Sequence, residues 1–137
     1  MSEQNKNLVK RFYNELVNGG NIELIEELLS PNYQEHLNPR GSGWDGFKQF
    51  AATLKTAFPD LQVTVEDLIA EGDRVVARVI VNATHAGNFM GSIAPTGRHV
   101  SFTGVDIFRI EDCMIIARWN HRDLLGLLRQ LGASTLP

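Results

Sequence analysis

The sequence predicts an α+β domain in which helices come first and an antiparallel sheet follows. Before Pro59, apolar residues recur at three- and four-residue spacing, which is typical of amphipathic helices. After Pro59 the chain changes to long β-rich runs joined by short turns. Helices grouped ahead of strands are typical of α+β folds, and a curved sheet wrapped around helices commonly encloses a pocket.

Three helices are predicted in the first half of the chain. The apolar face of the first helix covers residues 8–17, and the helix is expected to end at Asn18-Gly19-Gly20. Asn21 is expected to cap a second, short helix with the sequence IELIEELL, which ends at Ser30-Pro31. The third helix carries Phe47, Phe50 and Leu54 on one face and ends before Pro59.

Four strands and a final helix are predicted in the second half. The strand sequences are LQVTVEDLIAE, RVVARVIVNATH, HVSFTGVDIFRI and MIIARWNH, with short hairpin loops at 71–73 and 111–113. The segment DLLGLLRQLG is expected to form a helix that Asp123 caps and Gly132 ends.

Composition limits the classes of function. The 137 residues predict one domain spanning residues 1–137, with a formal charge of −3 and no basic stripe, so nucleic acid is not expected as a partner. No apolar stretch approaches the length of a membrane span. The lone Cys113 fits a reducing compartment, so we expect a cytoplasmic protein. The four histidines are scattered without ligand spacing, so no metal site is expected.

The register of the last hairpin indicates where polar chemistry lies. A three-residue loop at 111–113 places Asp106 opposite Arg118, and side chains that lie opposite each other share one face of the sheet. A two-residue loop would shift the register by one and place Trp119 opposite Asp106. We favour the first register because it groups the polar residues.

In that register Asp106, Arg118 and Asn120 share a face, and two interpretations stay open. These residues line a pocket, or Asp106 and Arg118 form a structural ion pair at the rim of the sheet. Gly104 would lie opposite Asn120, and a glycine inside a strand leaves room for a ligand, which favours the pocket. Phe102 would then contribute to the pocket wall, and so would Phe108, because both alternate with Asp106.

Several motifs resemble those of a known family. They are the segment THAGNFMG, the turn PTGR, the strand pattern Gly-x-Asp-x-Phe-Arg and the upstream NYQEH. Together they make the chain similar to the SnoaL-like polyketide cyclases over nearly its whole length. The resemblance implies the nuclear transport factor two-like fold, a cone in which helices close a curved antiparallel or mixed sheet over a deep pocket.

The resemblance also implies a chemistry, which is a cofactor-independent intramolecular aldol closure. A carboxylate takes a proton from an activated methylene, and the resulting enolate attacks a ketone. The family's acid/base aspartate directly follows the strand tryptophan, a position that Asn120 occupies here, and an amide cannot relay a proton. Asp106 is then the candidate base on the facing strand, with Arg118 beside it.

Other residues are candidates for contact with a small hydrophobic carbonyl ligand. His36, in NYQEH, matches a position where the family often places a pocket histidine. The remaining candidates are His85, Phe12, Tyr13, Trp44 and Met90. For His85 a structural place at a strand end is the alternative, and for Phe12 and Tyr13 it is the core.

Three functions follow from these residues: a cyclase or isomerase acting through an enolate, a binding protein that has lost its base, and an epoxide-hydrolase-like enzyme that activates water. The third needs a second carboxylate near the pocket, and none is evident from the sequence.

The opposite face of the hairpin is expected to hold Val105, Ile107, Ile115, Ala117 and Trp119. This apolar row predicts a homodimer packed through that face.

Overall fold

A computed structural model describes residues 2–36, 39–89 and 93–132. The helices are α1 (Ser2–Arg11), a π-helix (Phe12–Asn18), a 3₁₀ turn (Ile22–Leu24), α2 (Ile25–Leu28), a second 3₁₀ turn (Pro39–Gly41), α3 (Gly43–Ala57) and α4 (Leu124–Gln130). The strands are β1 (Leu29–Glu35), β2 (Gln62–Glu71), β3 (Arg74–Thr84), β4 (His99–Glu111) and β5 (Met114–Arg122). Among these residues no helix is long and apolar enough to cross a membrane.

The five strands form one mixed sheet in the order β1-β5-β4-β3-β2. β1 runs parallel to β5, and the other neighbours are antiparallel. The α+β class is confirmed, and the four predicted strands are present. β1 was missed because Pro31 reads as a helix stop followed by a loop; it is tolerated because β1 is an edge strand.

The first helix extends as predicted to Asn18, but its last two turns are a π-helix. The side chain of Asn18 fixes the end of the π-helix to β2, because it donates to the Val63 carbonyl at 2.8 Å and accepts from the Val63 amide at 2.7 Å. Phe12, Tyr13 and Leu16 on this π-helix are buried in the core. The π-helix therefore carries the aromatic residues that face the sheet.

The predicted helix caps are only partly right. Asp123 caps α4 by accepting a hydrogen bond from the Gly126 amide at 2.9 Å, and Gly132 follows the helix with a φ of +79°. Asn21 makes no side-chain cap bond, so its predicted capping role is wrong. The predicted second helix is divided into the 3₁₀ turn and the four residues of α2.

The last hairpin has a two-residue loop and not the predicted three-residue loop. Asp112 and Cys113 take φ values of 52° and 60°, as a type I′ turn requires. A bulge then inserts Ile116 into β5, because Ile110 pairs with Ile115 whereas Arg109 pairs with Ala117. Beyond the bulge, the residues of β5 lie on the predicted faces of the sheet. Each of them, however, lies opposite a different residue of β4 from the one predicted.

The register prediction was therefore wrong in its pairs and right in the face that carries the polar residues. Asn120, not Arg118, lies opposite Asp106, while Arg118 lies opposite Phe108. The side chains of Asp106 and Arg118 still meet, with 3.3 Å between Arg118 Nη2 and Asp106 Oδ2.

The outer face differs from the prediction at one position. Ile115 is fully buried in the core, because it precedes the bulge and pairs with Ile110. Ala117 and Trp119 do lie on the outer face, and Trp119 is covered in part by the stacked ring of His36 and the guanidinium of Arg74.

Candidate functional site

A cavity of about 750 Å³ lies between the helices and the inner face of the sheet. Most of its lining is apolar and comes from the π-helix, α3, the sheet and α4, for example Leu16, Phe50, Val81, Phe102 and Leu127. An apolar cavity with a small number of polar groups is the usual form of a small-molecule site.

Four polar residues in the lining are grouped around one buried carboxylate. These residues are Tyr13, Arg118, Asn120 and Arg122, and we call them the polar cluster. Asp106, behind them, is fully buried and does not contribute to the described lining of the cavity.

Asp106 accepts four hydrogen bonds from the polar cluster. The hydroxyl of Tyr13 donates to Oδ2, and Arg118 Nη2 donates to the same oxygen at 3.3 Å. Arg122 binds in a bidentate manner, with Nη1 at 2.7 Å from Oδ1 and Nη2 at 3.0 Å from Oδ2. Burial raises the pKa of Asp106, but the charges of Arg118 and Arg122 and the bond from Tyr13 outweigh burial, so the pKa is lowered overall.

Arg122 occupies the space that a glycine leaves open. Gly104 lies opposite Arg122, and a Cβ atom built on Gly104 would come within 2.5 Å of Arg122 Nη1 and of the His121 carbonyl oxygen. Gly104 was predicted to lie opposite Asn120 and to leave room for a ligand; the side chain of Arg122 occupies that space, so the prediction is wrong.

Arg118 lies between two carboxylates and two aromatic rings. Its Nη1 is 3.7 Å from Glu35 Oε2, whereas its Nη2 contacts Asp106. The guanidinium carbon lies 5.0 Å from the ring centroid of Phe12 and 5.8 Å from that of Phe108. Burial lowers the pKa of Arg118, but the charge of Asp106 and the other acidic neighbours raise it by more. The pKa is therefore raised overall, and Arg118 stays charged.

Glu35 is a second buried carboxylate beside the polar cluster. It accepts a hydrogen bond from the Tyr33 hydroxyl, while its Oε1 has no hydrogen-bond partner among the described residues. Burial raises its pKa, which the charge of Arg118 lowers only in part. Glu35 and Asp106 both contact Arg118, but their pKa values are shifted in opposite directions. The pKa of Glu35 is raised, and that of Asp106 is lowered.

The two groups of the polar cluster that face the cavity without a positive charge are Tyr13 and Asn120. Burial and the neighbouring charge of Asp106 raise the pKa of Tyr13, so its hydroxyl keeps its proton at neutral pH. Asn120 Oδ1 is buried and has no hydrogen-bond partner among the described residues. Asn120 Oδ1 therefore remains available to accept a hydrogen bond from a ligand.

Four of the predicted site residues line the cavity, namely Tyr13, Phe102, Arg118 and Asn120. Three others lie behind its wall: Asp106 holds the polar cluster, while Phe12 and Phe108 pack on Arg118. The structure thus brings together the residues of the predicted pocket but separates Asp106 from direct contact with its space.

The remaining predicted site residues lie elsewhere. His36 is on the outer face, with its ring stacked at 4.3 Å on Trp119. Trp44 donates to the Leu29 carbonyl at 2.9 Å and is not part of the described lining. Met90 lies outside the described residues.

His85 is buried at the end of β3 and does not form part of the described lining. Its Nδ1 accepts from the Thr96 amide at 3.2 Å and lies 2.9 Å from the Thr96 hydroxyl oxygen. These contacts are those of a structural histidine, the alternative that the sequence analysis left open.

Arg122 and Glu35 were missed by the sequence analysis. The signal for Arg122 was Gly104, since a glycine in a strand can mark a large side chain opposite it. Glu35 carried a weaker signal: it follows Tyr33 by two residues, and this spacing places both on one face once 29–35 is recognised as a strand. Within the described ranges, no group of three or more His, Cys, Asp or Glu side chains is placed to hold a metal ion.

The close fit of Arg122 against Gly104 gives a testable expectation. Gly104→Ala should reduce the free energy of unfolding by about 1–3 kcal/mol, because the added methyl group overpacks against Arg122 and the backbone of His121. Chemical denaturation measures this loss. Val105→Ala, at a half-exposed neighbour on the other face, should cost clearly less; equal losses would contradict the close fit.

Known proteins resemble this chain in sequence and in structure. The model of the family described as SnoaL-like polyketide cyclase matches residues 7–131. Aklanonic acid methyl ester cyclase DauD of Streptomyces sp. (strain C5) is 34% identical over 111 residues, which are 80% of this chain and 67% of DauD. The same-named cyclase DnrD of Streptomyces peucetius is 35% identical over 108 residues, 77% of this chain and 72% of DnrD.

The solved structure of TsrD from Streptomyces laurentii superposes with a TM-score of 0.86 at 34% identity, covering 96% of each chain. The family match spans most of the chain, and the sequence relatives and the fold agree with it. The chain therefore belongs to the SnoaL-like polyketide cyclase family.

Proposed function

We propose that this protein closes a ring in a small hydrophobic polycarbonyl compound by an aldol reaction, without a cofactor. The family membership and the cyclase names of DauD and DnrD support this proposal, and so does an apolar cavity of suitable size. Two carbonyl groups make the methylene between them acidic, so a modest base suffices if it is held in place.

One observation carries the proposal: Tyr13 lines the cavity, and its hydroxyl donates a hydrogen bond to the buried Asp106. Asp106 therefore acts through Tyr13. As the methylene C–H bond breaks, its proton goes to the Tyr13 oxygen while the Tyr13 proton passes to Asp106. The enolate carbon then forms a bond to a ketone carbon, and the alkoxide that results takes the proton back along the same path.

The lowered pKa of Asp106 is compatible with its role as a base, because Arg118 and Arg122 stabilise the negative charge both on the carboxylate and on the enolate. Arg118 and Arg122 contact Asp106 and also line the cavity. When the negative charge leaves the carboxylate, it appears on an enolate oxygen within reach of those guanidiniums. Asn120 adds a neutral donor to that oxygen in place of the family aspartate.

The test follows hydrogen exchange in a probe of the assumed class. A hydrophobic aromatic β-diketone in D₂O should exchange its methylene protons faster with the protein than with buffer, as NMR would record. Ala51→Trp, which fills the cavity from α3, should remove both binding and exchange. Exchange that survives in Ala51→Trp would place the reaction outside the cavity.

A second candidate is a binding protein that has lost catalysis. The observation that favours it is the absence of any carboxylate from the described lining of the cavity. In that case the wild type binds the probe without exchange, and Asn120→Asp creates exchange. If the Tyr13 relay operates, Asn120→Asp impairs the reaction instead, because a new carboxylate opposite Asp106 repels it.

The water-activating enzyme gains a second carboxylate in Glu35 but no direct access to it, since neither Glu35 nor Asp106 belongs to the described lining. It is therefore the least favoured of the three functions.

A cytoplasmic location and a homodimer packed through the outer face of the sheet remain proposals from the sequence.

A further inference from the structure

The charged residues in the described lining of the cavity are all cations. The chain as a whole is acidic, with 16 Asp and Glu against 13 Lys and Arg. Yet the charged side chains of the described lining are Lys48, Lys55, Arg118 and Arg122. A cavity with one sign of charge and apolar walls attracts the opposite charge.

These four cations differ in how far they are neutralised. Arg118 and Arg122 are paired with Asp106, and Arg118 also with Glu35. Lys48 and Lys55 are exposed and form no ion pair with any residue that the structure describes. The uncompensated positive charge of the cavity therefore belongs to the two lysines.

The exposed residues of the cavity lining surround its opening, which we call the mouth. Lys48 and Lys55 are two of these residues. They are seven residues apart on α3, a spacing that places them on one face of the helix, two turns apart. Lys55 reaches the segment that follows the π-helix, because its Nζ is 3.3 Å from the position of a Cβ on Gly20. Ile22 and Leu124, both exposed, add apolar surface to the mouth.

We propose that the ligand of this cavity carries an ionised acidic group, for which a carboxylate is the simplest case, and that Lys48 and Lys55 bind it at the mouth. This inference rests on the proposed function and names the class of substrate: a hydrophobic polycarbonyl compound in its free acid form. The apolar body enters the cavity, and its carbonyl groups reach the polar cluster. The anion stays in contact with water, which spares it the cost of burial.

The experiment compares a carboxylic acid with its neutral ester. 6-Acetyl-2-naphthoic acid and its methyl ester share one hydrophobic body and one ketone, and their Kd values are measured by titration at pH 7.5 and low salt. We expect the acid to bind the wild type about tenfold more tightly than the ester, since each exposed ion pair contributes modestly. This preference should weaken as salt is added.

The variants are Lys48→Glu with Lys55→Glu, and Lys10→Glu as the matched control. The double variant should bind the acid more weakly than the ester while its affinity for the ester stays within about twofold of the wild type. Lys10 is exposed on α1 and does not belong to the described lining of the cavity, so Lys10→Glu should keep the preference for the acid. Circular dichroism confirms the fold of each variant.

An equal affinity for acid and ester in the wild type, or an unchanged preference in the double variant, would overturn the inference while the proposed function stands. If neither compound binds, this inference fails, while the proposed function fails only if the β-diketone probe also shows no exchange with the protein.

Discussion

Replacing Asp106 by asparagine should lower the free energy of unfolding by about 3–5 kcal/mol at neutral pH, because buried charges then lose their partner. Asp106 is fully buried and neutralises Arg122 and, together with Glu35, Arg118. An asparagine of the same shape keeps one acceptor for these groups but removes the negative charge. The loss is therefore electrostatic and leaves the packing nearly unchanged.

Denaturation in urea measures this loss, and Asp73→Asn is the matched control. Asp73 also binds an arginine, at 2.9 Å from Arg109 Nε, but both side chains are about half exposed. Such an exposed pair contributes about 0–1 kcal/mol. If Asp106→Asn costs no more than Asp73→Asn, the buried network around Arg118 does not stabilise the fold.

The same comparison has a defined dependence on pH. The folded protein holds the pKa of Asp106 below its usual value, so its charge stabilises the folded state at neutral pH. That stabilisation is lost as the pH falls through the folded pKa. The difference between wild type and Asp106→Asn should therefore shrink in acid. The charge of Asp106 also raises the pKa of Glu35, so Asp106→Asn lowers that pKa, and the titration of Glu35 contributes to the difference as well.

Tyr13→Phe should lower the turnover of an activated polycarbonyl substrate by about 100-fold or more, the usual contribution of a positioned proton-transfer group. Phenylalanine keeps the aromatic contacts of Tyr13 with Phe12 and Phe108 but has no hydroxyl to relay a proton to Asp106. The affinity for the ligand should change little. Turnover and binding should thus separate, with kcat reduced and Kd preserved.

Tyr33→Phe is the control for that experiment. Tyr33 is as buried as Tyr13, and its hydroxyl also donates to a buried carboxylate, that of Glu35, but it does not belong to the described lining. Both variants lose one buried hydrogen bond, so their stability should fall by similar amounts, about 1–2 kcal/mol. Full turnover in Tyr13→Phe would contradict the relay, and an equal loss in Tyr33→Phe would point to a purely structural effect.

The alternation of side chains predicted which residues share a face within β4 and within β5, but β5 presents the predicted face beside Asp106 only because the bulge at Ile116 offsets the shorter loop. Asp106, Arg118 and Asn120 do share the inner face, as the period of two residues in a strand requires. The change from helical to strand spacing near Pro59 likewise predicted the α+β order of elements. These properties are local, so a single sequence contains them.

Only the tertiary structure decided which side chains meet. The bulge at Ile116 moves each partner along β5, so that Arg122 reaches Asp106 through the space beside Gly104. A bulge inserts one residue at a small energetic cost, and the packing of the whole sheet, not the local sequence, selects its position. In the same way Glu35 reaches Arg118 only because β1 pairs in parallel with β5, a contact between segments some eighty residues apart. Such long-range pairing brings the two carboxylates onto one arginine, and no local pattern in the sequence encodes it.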